Sequence, residues 1–249
     1  MKILAVCWLM AASGWSAQTD APAIPAGLLP TRASVIEVAD LTPLVKRDRM
    51  LVLWMEHPES SLRSDWCGDA VYGDSWVGPA RVSLIDRRRR KILNTIAVEG
   101  DETAGIPRGQ FRIPFLLGPS FYHVPQRDSA GEGKPVLLHL VDLTGDGLAV
   151  EFVLFQYVAC GLVDTAVFGY QSGSDRVLRY PVELIEDGQK PQLRSWVLQL
   201  FAHRQASPGR WDFRWGPGHG EEGFTFHEVA WFDRARQRFV TRRARIVGH

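Results

Sequence analysis

The chain has 249 residues, 45% of them hydrophobic, and carries 29 Lys and Arg against 28 Asp and Glu. That near balance of charge argues against a nucleic-acid binder or a polybasic membrane adaptor. The length and apolar content suit one large domain or two small ones with a substantial core.

Lys2 precedes an apolar run, Ile3 to Ala12, and then small residues including Ser16 and Ala17. This is the order of a secretory signal, which predicts residues 1–17 as a leader cleaved before Gln18 and a periplasmic or secreted mature protein. The run is too short to span a bilayer, and no later stretch reaches the ~18 apolar residues of a membrane helix. Val6 stands before Cys7 where a lipoprotein signal needs a small residue. Cleavage removes Lys2 and leaves a formally neutral chain with two cysteines, Cys67 and Cys160. In an oxidising compartment one pair allows one intramolecular bridge, worth on the order of 4–5 kcal/mol in the chain-entropy model. Two separate thiols are the alternative.

Residues 18–39 begin with an Ala- and Pro-rich stretch and read as a linker or lead-in, with a single β-rich domain over 40–249. Asp40 to Val45 opens that domain, and Met50 to Met55 reads as a buried strand ending before His57-Pro58. Glu59 to Gly78 has no apolar period and reads as a long loop. Within it, Trp66 and Trp76 flank Cys67 as candidates for an exposed aromatic ligand surface. Gly73-Asp74-Ser75 resembles the nucleophile block of secreted lipases and esterases, without that family's downstream Asp-x-x-His pair.

Arg81 to Ile85 and Ile92 to Val98 read as a hairpin. Its tip holds five consecutive basic residues, Arg87 to Lys91, and reads as a solvated turn behind a secretory leader. Val229 to Thr241 aligns without gaps on Val82 to Asn94, placing Asp233 on Asp86. A looser copy runs from Ala166 through a turn at Ser172 to Asp175 and back to Tyr180. Recurring strand, polar turn and strand units predict an all-β fold of antiparallel hairpins, a sandwich or propeller-like domain with at most one or two short helices.

Leu193 to Arg204 fits a helical stripe and a strand face equally well. The turn Ala206 to Gly209 and the alternation of Trp211, Phe213 and Trp215 favour a hairpin. Gly216 to Gly223 reads as a flexible loop, with a small polar cluster at His219, Glu221 and Glu222, before a strand at Phe224.

The most specific stretch is Asp142 to Glu151, three carboxylates and two glycines between the apolar runs Leu137 to Val141 and Phe152 to Tyr157. Oxygen ligands for a hard cation must converge from a short segment, so calcium loops alternate ligand positions and then turn sharply at a Gly. Asp142, Thr144 and Asp146 supply the alternation, Gly147 the turn, the carbonyl of Leu148 a further oxygen, and Glu151 the closing acid. These residues resemble the calcium loops of FG-GAP and VCBS-type repeats and, more distantly, those of dockerins and EF-hands. Thr144 replaces the usual Asn or Asp, and the closing acid is the tenth residue of the loop. The resemblance implies a weak calcium site, around ~10⁻⁴ to 10⁻³ M as in extracellular modules. The alternative is a metal-free Asx-type turn.

The nucleophile elbow Gly-x-Ser-x-Gly, the zinc pair His-Glu-x-x-His and the phosphate-binding loop are all absent from the sequence. Two function classes follow: a non-catalytic exported module that binds a glycan, a protein or a small molecule, or a secreted hydrolase acting on an ester or glycan through acids or Ser75. The wider pattern resembles an uncharacterised family of exported bacterial proteins: Cys67 in a Gly-rich loop, Gly78 to Asp86, Thr144 to Gly147, and Ala159-Cys160-Gly161. That resemblance implies no activity.

Overall fold

The structure, a computed structural model, describes residues 23–61, 75–99, 109–113, 122–123, 135–159, 162–216 and 223–247. The predicted leader, Trp66, Cys67, Cys160 and the His219, Glu221 and Glu222 cluster lie outside the described residues. In chain order the elements begin with β1 (Ala33–Asp40), a one-turn helix α1 (Thr42–Val45), β2 (Arg49–Glu56), β3 (Glu59–Ser61), β4 (Ser75–Gly78), β5 (Ala80–Asp86), β6 (Lys91–Val98) and β7 (Phe111–Ile113). They continue with β8 (Glu151–Ala159), β9 (Leu162–Gln171), β10 (Arg176–Tyr180), β11 (Val182–Glu186), β12 (Gln192–Arg194), β13 (Val197–Leu198), a 3-10 turn at Leu200–Ala202, β14 (Arg210–Trp215), β15 (Phe224–Asp233) and β16 (Arg238–Val247). The fold is all-β, as the hairpin pattern predicts.

Three sheets stack face to face. The first has the order β1-β2-β5-β6, the central one places β8 on one edge of β9 and both β10 and β13 on the other, and the third runs β12-β11-β16-β15-β14. Among the described residues pairing is antiparallel except between β11 and β16, where Val182 lies beside Phe239 in a parallel register. A small sheet, β3-β4-β7, is hydrogen-bonded to none of the three, yet its Phe111 is buried in the core that the first and central sheets share.

Alternation along the strands assigns side chains to the layers. Leu51, Leu53, Val82 and Leu84 of the first sheet share a core with Phe152, Leu154, Phe168 and Tyr170 of the central sheet. Val167 and Tyr180 on the opposite face join Val182, Trp211, Ala230 and Phe239 of the third. The central sheet is therefore covered on both sides, and β9 is buried from Val163 to Tyr170. The outer face of the first sheet, Met50, Val52, Trp54 and Ile85, is packed by Ile24, Leu28 and Leu29.

Polar contacts register the first sheet against the central one. The Asn94 side chain donates to the Val177 carbonyl at 2.8 Å and accepts from the Val177 N–H at 3.0 Å, so an amide on β6 completes the edge of β10. Arg49 lies deeper. Its Nε and Nη2 donate to the two carboxylate oxygens of Asp175 at 2.9 and 2.7 Å, and its Nη1 reaches Asp86 Oδ2 at 2.9 Å. Tyr170 donates its hydroxyl to the same Asp175 at 2.9 Å. The hydrogen bonds from Arg49 hold the Asp175 carboxyl below its ordinary pKa.

The hairpins predicted at Asp86, Ser172 and Asp233 form as expected and share one turn. In each, a residue closing the turn is left-handed: Arg90 at φ 51°, Asp175 at 53° and Gln237 at 51°. Asp86 and Asp233 each accept backbone N–H groups inside their own turns, from Arg89 and from Ala235 and Arg236. Their alignment in sequence is thus a shared side-chain cap.

Three segments differ from expectation, and a fourth, the apolar run Leu137 to Val141, is irregular. The first sheet starts at Ala33, inside the stretch read as lead-in, because β1 pairs along the whole of β2. The supposed loop Glu59 to Gly78 contains β3 and β4. Leu137 to Val141 is buried in part yet forms no strand: the N–H groups of Leu137 and Leu138 donate to the Glu37 carboxylate at 2.8 and 2.9 Å, and Val141 makes only an isolated bridge to Glu151. Leu193 to Arg204 is not one strand of a hairpin with Trp211 to Trp215. It divides into β12, which pairs with β11, then β13, which pairs with β9, then the 3-10 turn, while β14 pairs with β15. Its double periodicity reflects a segment serving two layers in turn.

Removing one partner of a buried ion pair leaves the others uncompensated, and Asp86 is only 2% exposed. Arg49→Met is expected to lower unfolding free energy by about 3–5 kcal/mol, measured by urea denaturation. A loss below about 1 kcal/mol would reduce the cluster to an ordinary surface pair.

Candidate functional site

The Asp142 loop is closed by its own first residue. Asp142 Oδ1 accepts from the N–H groups of Gly145 at 2.7 Å and Asp146 at 3.2 Å, and Oδ2 from Gly147 at 2.8 Å. A carboxylate offers about four acceptor positions, so three are used in shaping the backbone. Asp146 Oδ1 accepts from the Leu148 N–H at 2.8 Å. Gly145 and Gly147 have φ of 71° and 89°, the left-handed region where glycine carries no steric cost. The Leu148 carbonyl accepts from Val150 N–H at 3.1 Å, and the Leu148 side chain is exposed.

Glu151 sits at the base of this loop, as the first residue of β8, and is 1% exposed. Its Oε2 accepts from Leu143 N–H at 2.9 Å and Thr144 N–H at 3.4 Å, while Oε1 accepts no hydrogen bond from the described residues. Burial pushes its pKa up to about 8, against the lowering effect of the Leu143 hydrogen bond, with nearby Asp146 adding to the rise. Room for the side chain comes from Gly169, its register partner on β9. A Cβ at Gly169 would lie 2.8 Å from Glu151 Cγ and 2.9 Å from Tyr180 Cε2.

Thr144 is also buried, and its Oγ1 has no hydrogen-bond partner among the described residues. Thr144, Asp146, Leu148 and Glu151 line one cleft of about 190 Å³, walled by Tyr170 and Tyr180. Four of the five predicted ligand residues therefore face common space, whereas Asp142 acts mainly as the brace of the loop. Among the described residues no three His, Cys, Asp or Glu gather into a metal group, so any cation here would depend on the Thr144 hydroxyl and on backbone oxygen as well.

Residues far away in sequence clasp the loop. Gln205 donates from Nε2 to the Asp142 carbonyl at 2.9 Å and accepts at Oε1 from Gly209 N–H at 2.7 Å. Gly209 meets Gly145 back to back: a Cβ on either would lie 2.8 Å from a carbonyl oxygen of the other strand of this contact, Thr144 O or Pro208 O. Arg234 Nη2 donates to the Gly145 carbonyl at 2.7 Å. Sequence reasoning missed Gly169, Gln205, Gly209 and Arg234. Only Gly169 carried a local signal, a glycine interrupting an apolar strand where another group approaches closely.

The other candidates do not join this cleft. Trp76 is exposed on β4, opposite Ser60 and Ile113. Ser75 opens the same strand, opposite Ser61, and its side chain lies outside what is described. Trp211 and Trp215 are buried in the third sheet, as expected of core aromatics. Comparison with family models, with curated proteins and with solved structures gives no match to this chain.

Two outcomes are expected of the cation-free protein. Glu151 has a folded pKa of about 8 against 4.5 unfolded, so the native state holds the extra proton between those values. The contribution of Glu151 to stability should be full below about pH 4.5 and fall by on the order of 3–5 kcal/mol as pH rises through about 8; Glu151→Gln should flatten that slope in chelator, followed by denaturation at several pH values. Gly209→Ala should cost about 2–3 kcal/mol through its φ of 70° and the contact with the Thr144 carbonyl. An unchanged melting temperature would mean that the two turns are not packed as described.

Proposed function

We propose that this protein is a non-catalytic, exported β-rich binding or structural module whose Asp142 to Glu151 loop is stabilised by a calcium ion. The observation that carries this reading is Thr144, whose buried hydroxyl has no hydrogen-bond partner among the described residues and which lines one cleft with Asp146 and Glu151. An unsatisfied buried hydroxyl is costly, and a hard cation beside two carboxylates would satisfy it. Asp146, Glu151 and Thr144 Oγ1 are the side-chain ligands of this reading, with the Leu148 carbonyl and the remaining acceptor position of Asp142 as supplements. The cation would replace the proton on Glu151 and tie the loop to the start of β8. Partner recognition then falls to exposed surface such as Trp76, whose indole face suits a glycan, a protein or a small molecule.

A second reading, a secreted hydrolase acting on an ester or a glycan, rests on the same pair of acids. A buried carboxyl that keeps its proton near neutral pH, beside a second carboxylate in a cleft, meets the requirement for a general acid.

Calcium titration by calorimetry, with melting in calcium and in chelator, separates the two. The module reading expects saturable heat near millimolar calcium and a raised melting temperature, both lost in Asp146→Ala and weakened in Thr144→Val. Absence of heat and of any thermal shift would reject the cation. Turnover of model esters or glycosides that disappears in a folded Glu151→Gln variant would favour the hydrolase.

A further inference from the structure

At one end of the first sheet the turn of the β5–β6 hairpin meets the loop that follows α1. Arg87 N–H donates to the Asp48 carbonyl at 3.2 Å, which fixes the two segments side by side. Between them lies an open cleft of about 510 Å³, lined by Lys46, Arg47, Arg88, Arg89 and the carboxylate of Asp48 around the buried Arg49 and Asp86. The sequence shows the run Arg87 to Lys91 but not that Lys46 and Arg47 fold against it.

The acids here are already committed. Asp86 accepts from Arg49 and from the Arg89 N–H, Asp48 pairs with Arg87 at 2.5 Å, Asp40 accepts from Thr42 N–H and lies 3.4 Å from Arg87, and Asp175 holds Arg49. Lys46, Arg88, Arg90 and Lys91 are exposed and have no ion-pair partner among the described residues. Arg47 reaches Asp175 only at 3.9 Å and donates to the Ser172 carbonyl at 3.3 Å. Lys46 and Arg90 adopt left-handed backbone, φ 54° and 51°, where Gly or Asn would relieve strain. The turn by itself does not produce such a surplus: in the matching hairpin, Arg236 is paired with both Asp233 and Glu183.

We infer that this cleft binds a ligand bearing two or more phosphate or sulfate groups. Guanidinium forks and a lysine converging on one opening match oxyanions with several oxygens, and the volume exceeds what a single such group would fill. The inference is independent of the Asp142 loop.

Pyrophosphate and inorganic phosphate are the probes, titrated into the full chain by calorimetry at low ionic strength, with sedimentation on phosphatidylcholine vesicles with and without cardiolipin, whose headgroup carries two phosphates. Pyrophosphate should bind saturably and at least about tenfold tighter than inorganic phosphate, and added salt should weaken it. Lys46→Ser combined with Arg88→Ser, both exposed and unpaired, should weaken pyrophosphate at least about tenfold with an unchanged melting temperature. Lys190→Ser, on the β11–β12 turn outside the cleft, should leave it intact. Anionic vesicles that sediment the protein and release it to pyrophosphate would identify a lipid headgroup as the source; pyrophosphate binding without sedimentation would identify a soluble ligand. No saturable binding at millimolar pyrophosphate, equal affinity for the two anions, or equal loss in Lys190→Ser would each overturn the inference.

Discussion

The structure depends on a strand with no solvent face. β9 runs Leu-Val-Asp-Thr-Ala-Val-Phe-Gly-Tyr-Gln, and its interior residues are buried from both sides. An antiparallel sheet often leaves one face to water, so two-sided burial obliges a second sheet on each side. On the first-sheet side the cover comes from alternate residues of β2 and β5, and on the other from the aromatics around Phe239. Phe201, Trp211 and Tyr180 all meet the Phe239 ring edge-on, at centroid separations of 5.0, 5.7 and 6.1 Å. Such pairs contribute about 0.5–1.5 kcal/mol each beyond their buried area. Polar atoms on β9 have no water to turn to and are satisfied internally: Thr165 Oγ1 donates to the Val197 carbonyl at 3.1 Å, fixing the short β13 onto the edge.

That constraint also creates the candidate site. β8 pairs with β9 from its first residue, so Glu151 is carried into the covered layer by the register that aligns Phe152 with Phe168. A carboxylate there would normally be replaced by an apolar group of similar size. Here Gly169 leaves it space, the Leu143 and Thr144 N–H groups solvate one oxygen, and the preceding loop curls over it, braced by Asp142. The glycine pair at 145 and 209 then lets the third-sheet segment touch the loop. The acid, the loop and the clasp thus belong to three different parts of the chain and meet only because the layers stack.

The strands were readable where a local pattern determined them. Alternation and a polar turn located β5 and β6, β9 and β10, and β15 and β16, since hairpins are built from neighbours in sequence. The apolar run Leu137 to Val141 forms no strand: the Leu137 N–H is satisfied by Glu37, a hundred residues earlier, and no period in the segment reports that. The spacing of acids and glycines singled out the Asp142 loop, but not the division of labour within it. Whether a carboxylate braces its own backbone or faces a cleft is decided by the orientation of each residue. The clasp by Gln205 and Arg234, 63 and 89 residues away from its partners, left no trace in spacing.

The three like hairpins show why similarity within a chain can report backbone rather than role. Each turn ends in a left-handed residue and each places its tip at the margin of a sheet, yet the charges differ. In the central sheet that residue is Asp175, turned onto Arg49 as an interlayer staple. In the third sheet it is Gln237, which accepts from Gln171 Nε2 at 2.9 Å beside the cleft of Glu151, while Arg234 in the same turn holds Gly145. In the first sheet it is Arg90, surrounded by cations whose neighbouring acids are all engaged. The strand pairing tolerates any of these because turn geometry is set by the backbone, helped by a capping acid at Asp86 and Asp233, which leaves the remaining positions free to carry charge. One structural unit therefore joins layers, secures the candidate site and forms a cationic margin, and the difference lies in which neighbouring carboxylates are still available.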